Sequence, residues 1–169
     1  MLLLNPGRKD GRAGNLSGRS VFDIQFIAEE PEVIDEGEDA YLALRGRTML
    51  GEYQEEFLAP LGYWSRVDYQ RQWVEAARRL LAGAERTGFF TSAFQFWWIM
   101  WREGAAVYVH EQAMVEDSLI APFDPADPYH QIGERYTVSE DGAEVSEWRL
   151  SVADIEEFVT RRASEYVPA

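Results

Sequence analysis

The sequence predicts an α+β fold: a largely antiparallel β-sheet built on a central aromatic hairpin, with two main helices packed on one face. Three observations predict it. Phe94 to Gln112 carries six aromatic side chains in nineteen residues (Phe94, Phe96, Trp97, Trp98, Trp101 and Tyr108), and Glu103-Gly104 breaks the run in two. Two amphipathic stretches open at Ser65 and Ser151 with capping-box spacing. Short alternating runs bounded by turn residues fill much of the remainder. Strands and helices that each bury one face must combine around a shared core.

Residues 1–19 stand apart. Gly7, Gly11, Gly14 and Gly18 interrupt them, and Arg8, Lys9, Arg12 and Arg19 outnumber Asp10. They carry too little apolar surface to bury, so the reading is a flexible N-terminal segment followed by a single domain over 20–169. Ser20 to Ala28 alternates: Phe22, Ile24 and Phe26 point inward, and Val21, Asp23 and Gln25 form a wet face. Glu29 to Asp39 holds seven acids in eleven residues: Glu29, Glu30, Glu32, Asp35, Glu36, Glu38 and Asp39. This segment is either a solvated loop or an electrostatic recognition patch. Tyr41 to about Leu50 reads as a second strand. Gly51 to Trp64 reads as a connector, because Pro60 and Gly62 interrupt it.

Ser65 opens a helix over 66–82. Ser65-x-x-Asp68 has the cap spacing, and Tyr69, Trp73, Ala76, Ala77 and Leu80 form its apolar stripe, with Gly83 just past its end. Phe89 to Phe94 is a further strand segment. In the aromatic hairpin a Glu103-Gly104 loop pairs Arg102 with Ala105, Met100 with Val107, Trp98 with Val109 and Phe96 with Glu111. Trp97, Ile99 and Trp101 then share a face with Ala106, Tyr108 and His110. Ala121 to Tyr129, with three prolines, is loop. Arg135 to Leu150 reads as a second hairpin around an Asp141-Gly142 type I′ turn, pairing Val138 with Val145 and Thr137 with Ser146. Ser151-x-x-Asp154 caps a second helix that ends near Ser164, with Val152, Ile155, Phe158 and Val159 as its stripe.

Composition narrows the function. The formal net charge is −14 over 169 residues. Phosphate binding needs clustered Lys and Arg, so nucleic acid and anionic membrane are poor partners and none is expected, and a basic protein is favoured. There is no cysteine, which removes disulfides and thiolate metal sites and fits a reducing cytosol. No run approaches the ~18 apolar residues of a membrane span. No catalytic, cofactor or metal constellation is legible. His110-Glu111 lacks the second histidine of a zincin, and there is no Gly-x-Ser-x-Gly elbow. Asp124 and Asp127 sit in the proline-rich loop without the further oxygens of an EF-hand. They are retained with the acidic segment as candidate partner-binding residues. Turnover by the isolated domain is not expected.

Several segments together resemble a known family. They are Trp64 to Leu81 (WSRVDYQRQWVEAARRLL), Thr91-Ser92, Trp98 to Gln112 (WIMWREGAAVYVHEQ), Phe123 to Tyr129 (FDPADPY) and Thr137 to Leu150 (TVSEDGAEVSEWRL), followed by Asp154 to Phe158. In this order, ending on Ser146-Glu147-Trp148, they resemble the immunity proteins of bacterial contact-dependent growth inhibition systems, over about residues 51–160. The resemblance implies a cytoplasmic, cofactor-free α+β protein that binds the C-terminal toxin domain of a delivered effector and neutralises it. No toxin-contacting residue carries over. A basic cognate toxin domain is the partner that the charge favours. Two other classes stay open: an aromatic-lined small-molecule or glycan-binding domain, and a carboxylate-dependent enzyme.

Overall fold

The structure is a computed structural model that describes residues 21–35, 40–92, 96–114 and 126–167. The 1–19 segment therefore lies outside the described residues. In chain order the elements are β1 (Phe22–Phe26), β2 (Glu32–Ile34), β3 (Tyr41–Leu50), β4 (Tyr53–Leu61), α1 (Arg66–Leu81), β5 (Arg86–Phe90), β6 (Phe96–Glu103), β7 (Ala106–Ala113), β8 (Trp148–Ser151) and α2 (Val152–Tyr166). A 3-10 turn spans Pro128–Gln131. All strand pairs are antiparallel, as the α+β reading expects, and they divide between two four-stranded sheets. In the first sheet β3 pairs with β4 on one side and with β1 and β2, end to end, on the other. The second runs β5-β6-β7-β8. Both sheets and both helices share one buried cluster.

The aromatic hairpin forms with a corrected register. Its loop is Gly104-Ala105, so Glu103 pairs with Ala106, Met100 with Val109 and Trp98 with Glu111. Gly104 has φ +64, and a type II′ turn places its positive φ at the first loop residue, so the loop starts on the glycine. The pairing moves by two residues, which preserves side-chain parity. Ile99 and Trp101 still share a face with His110 and Tyr108.

Three other expectations are corrected. Gly51 to Trp64 is not a connector. Tyr53–Leu61 is strand β4, joined to β3 by the Gly51-Glu52 turn. Pro60 is tolerated because β4 pairs only with β3 and so lies at a sheet edge. The 135–150 region is not a full hairpin. It closes on a single bridge, Val138 to Glu144, around the loop Glu140-Asp141-Gly142. Gly142, at φ +83, takes the left-handed position of a three-residue loop, which displaces the expected two-residue pairing. Trp148–Ser151 pairs instead with β7. Asp23 is not on a wet face. It is 3% exposed and accepts from Arg162 through Nε (3.0 Å) and Nη2 (2.7 Å), with Arg161 3.3 Å away.

Both capping boxes form. Ser65 and Ser151 each accept from the backbone N–H three residues on, and Asp68 and Asp154 return the bond to the cap backbone. The helices then seal strand edges with side chains. On α1, Gln72 donates to the Gly88 carbonyl (2.7 Å) and accepts from the Phe90 N–H (3.0 Å), while Trp73 Nε1 donates to the Phe90 carbonyl (2.7 Å). On α2, Arg161 donates to the Phe22 carbonyl (2.6 Å) and Tyr166 to that of Ile24 (2.9 Å). The open flanks of β5 and β1 are thus satisfied without a further strand.

Candidate functional site

The acidic segment lies at the outer end of the first sheet. β3 is longer than β1, which pairs only with 46–50, so the first residues of β3 project past the core and carry β2. Glu29 and Glu30 lie exposed before β2, Glu32 lies in β2, and Asp35 follows it at φ 66. Asp tolerates this left-handed conformation better than most side chains. Glu36, Glu38, Asp39 and Asp124 lie outside the described residues.

Two of these acids are neutralised by bases from distant parts of the chain. Arg45 on β3 pairs with Glu32 (2.9 Å), and Arg66 at the start of α1 pairs with Glu29 (3.1 Å). Arg45 also reaches Glu56 (3.6 Å), which Arg47 holds at 2.9 Å. The Arg47 hydrogen bond holds the Glu56 carboxyl below the ordinary carboxylate range. Among the described residues none pairs with Glu30 or Asp35. Asp127 is not part of this cluster. It borders a recess of about 270 Å³ with Arg79, Arg86 and His130. Arg66 and Arg79 are thirteen residues apart on α1, so the two acidic positions are separated by roughly 20 Å of helix.

A second polar constellation, unseen from sequence beyond His110 itself, lies on the second sheet. His110 is fully buried, and its Nε2 lies 2.8 Å from Glu147. Glu147 also accepts a bidentate pair of bonds from Arg135 (2.8 and 2.7 Å), which bonds Glu103 (2.9 Å) and lies 3.6 Å over the Tyr108 ring. Burial alone would raise the Glu147 carboxyl, but the bonds from Arg135 and His110 outweigh it and hold it low. The contact to an ionised Glu147 makes His110 Nε2 the donor, and Nδ1 has no partner among the described residues. With no surface of its own, His110 offers no proton to a substrate. Its role is to fasten the 135–147 segment to β7.

Glu111 differs from both groups. It stands opposite Trp98 where the sheets meet, near Glu55, which accepts from the Tyr53 hydroxyl (2.7 Å). Burial, with the Glu55 charge adding to it, pushes the Glu111 carboxyl up to about 7 from 4.5. A carboxyl raised in the folded state leaves stability intact below the unfolded value and reduces it as pH rises through the folded one. The cost is therefore complete above about pH 7 and absent below about pH 4.5. Glu111→Gln is expected to raise the melting temperature near pH 8 and leave it unchanged near pH 4. Only part of Glu111 is shielded, since the residue as a whole is exposed, so solvent screens the effect and the change in melting temperature is small. Equal melting curves near pH 8 would show the carboxyl to be fully hydrated.

Trp73, Trp97, Trp98 and Trp101 are buried in the core. The 270 Å³ recess and another of about 440 Å³ beside Arg71 and Arg78 are lined by no tryptophan. Among the described residues no group of three His, Cys, Asp or Glu is placed to hold a metal ion. No described helix is long and apolar enough to cross a membrane.

With this geometry in view, comparison with known proteins is informative. The family model of the CdiI N-terminal domain matches residues 59–158. The immunity protein CdiI of Enterobacter cloacae subsp. cloacae is 25% identical over 117 residues, covering 65% of this chain and 80% of that protein. A chain of the CdiA-CT/CdiI toxin and immunity complex from Enterobacter cloacae superposes with a TM-score of 0.72 at 22% identity, covering 85% of this chain and 99% of the other. The match begins within β4, runs through α1 and the whole second sheet, and ends within α2. The acidic segment and β1 to β3 precede it.

Proposed function

Because this chain belongs to the CdiI N-terminal domain family, we propose that it is an immunity protein that binds and neutralises the C-terminal toxin domain of a contact-dependent growth inhibition effector. The family match over 59–158 carries this reading. The action is steric, by protein–protein contact without turnover. A fully buried His110 is consistent with that. The protein acts in the cytoplasm, where a delivered toxin would meet its target. The test is coexpression with the C-terminal domain of the effector encoded beside this chain. Growth should be rescued, and the two proteins should co-purify. Continued growth arrest despite soluble immunity protein would overturn the proposal.

The toxin domain is basic in this reading, and the acids of the 29–39 segment guide its approach. Glu29 and Glu32 are already held by Arg66 and Arg45, so Glu30 and Asp35, which pair with none of the described residues, carry the steering. Charges at an interface rim raise association rates, up to ~10⁸–10⁹ M⁻¹s⁻¹ at low salt. Glu30→Gln/Asp35→Asn is expected to slow association several-fold at low salt while hardly changing dissociation. The loss should shrink as salt rises, since screening is strong beyond about 10 Å at 0.1 M. Stopped-flow binding reads both rates. Identical association at low salt would dismiss the steering segment and leave the immunity reading standing. Asp127, at the far end of α1 beside Arg79, lies outside this path.

A further inference from the structure

The acids at the end of the first sheet frame an apolar feature. Val33, Leu42 and Leu61 stand directly opposite one another across β2, β3 and β4, on the face that Leu44 and Leu50 bury further along β3. Burial falls along the row. Leu61 packs against the core, Leu42 is 45% exposed and Val33 is 65% exposed. The core thus continues into solvent along this row, beside the acids of residues 29–35. Apolar surface with a polar rim is the usual anatomy of an interaction site.

We propose that Val33 and Leu42 form the apolar anchor of the toxin interface, receiving an aliphatic or aromatic side chain flanked by Lys or Arg. This rests on the immunity reading above. The charge around the row selects the occupant. Residues 29–35 contain Glu29, Glu30, Glu32 and Asp35 and no base. Arg45 and Arg66 reach two of these acids, which leaves Glu30 and Asp35 to pair with partner cations. A second copy of this chain would set the same acids against each other, so self-association through β2 is disfavoured. An apolar group seated in the row, with bases on the rim, would satisfy both the exposed side chains and the carboxylates of Glu30 and Asp35, which pair with none of the described residues. The rim then governs approach and the anchor governs residence, because interface cores act chiefly on dissociation.

Binding kinetics against the C-terminal domain of the adjacent effector test this. Val33→Ser/Leu42→Ser is expected to dissociate about tenfold or more faster, with association nearly unchanged and with an effect that salt does not erase. Val33→Ile/Leu42→Met should dissociate at the wild-type rate. Val138→Ser, at an equally exposed valine outside the row, should also bind normally. Both positions are exposed, so the melting curve should not move. If the double variant does lose its cooperative transition, Val33→Thr alone keeps the shape while removing a methyl, and is read the same way. Wild-type dissociation by the serine variants would overturn the anchor and leave the immunity reading intact. So would a concentration-dependent dimer of the free protein that these variants abolish, since the row would then serve a second copy. Absence of binding and protection by the wild-type protein would instead remove the immunity reading, and the anchor with it.

Discussion

Trp98→Ala is expected to destabilise the fold by about 3–5 kcal/mol, the range for truncating a large buried aromatic. Trp98 is 2% exposed and lies between Phe89 on β5 and Glu111 on β7. Its ring meets Trp148 of β8 at 5.5 Å and Tyr53 of β4 at 6.3 Å. It therefore bridges three strands of one sheet and reaches the start of the other sheet's edge strand. The indole fills space that alanine would leave empty, and packing on three sides limits collapse into the void. Chemical denaturation at a fixed pH measures the change. A loss below about 0.5 kcal/mol would mean that the site is effectively solvated, and the aromatic-cleft reading would gain at the expense of the core.

Gln72→Leu should cost roughly 2–5 kcal/mol although it replaces a polar residue with an apolar one of similar size. Gln72 is buried, and its amide takes the place of a neighbouring strand: the NH₂ serves the Gly88 carbonyl and the oxygen serves the Phe90 N–H. Leucine can do neither, and each buried backbone group left unsatisfied costs about 1–3 kcal/mol. Gln72→Glu is a second probe. An ionised carboxylate accepts from Phe90 and has nothing to donate to Gly88, so it should also destabilise. Amide exchange gives a local readout: exchange at Phe90 should be faster in the leucine variant, where its N–H loses the acceptor, and stay protected in the glutamate variant, which keeps it. Unchanged stability in the leucine variant would mean that water reaches this edge and that α1 does not seal it.

The environment of the acidic segment was legible only in part. Its composition stands out in the sequence as seven acids in eleven residues. Which of them are neutralised does not. Arg45 lies thirteen residues beyond Glu32, and Arg66 lies thirty-seven beyond Glu29. The Val33–Leu42–Leu61 row is equally hidden, because it exists only through pairing among three strands. One of these strands, β4, was masked by Pro60 and Gly62, although Tyr53, Glu55, Phe57, Ala59 and Leu61 alternate along it. Alternation was the better signal, since an edge strand accommodates proline.

What could be read from the residues alone is the chemistry that acts within a few positions. The two Ser-x-x-Asp caps, the stripe of Tyr69, Trp73, Ala76, Ala77 and Leu80, and the aromatic hairpin with its two faces are all of this kind. So is the acidic balance of the chain. The tertiary structure settled where strands end and what covers their edges. Asp23 looked like a solvent residue because its partners, Arg161 and Arg162, come from the other end of the chain, Arg162 139 residues away. Gln72 and Tyr166 looked like ordinary helix residues until their side chains were found bonded to the backbones of β5 and β1. A cap or a turn is specified by bonds that close over three or four residues. An edge seal depends on which surfaces the collapsed chain brings together, and local pattern carries no information about a partner so distant in sequence.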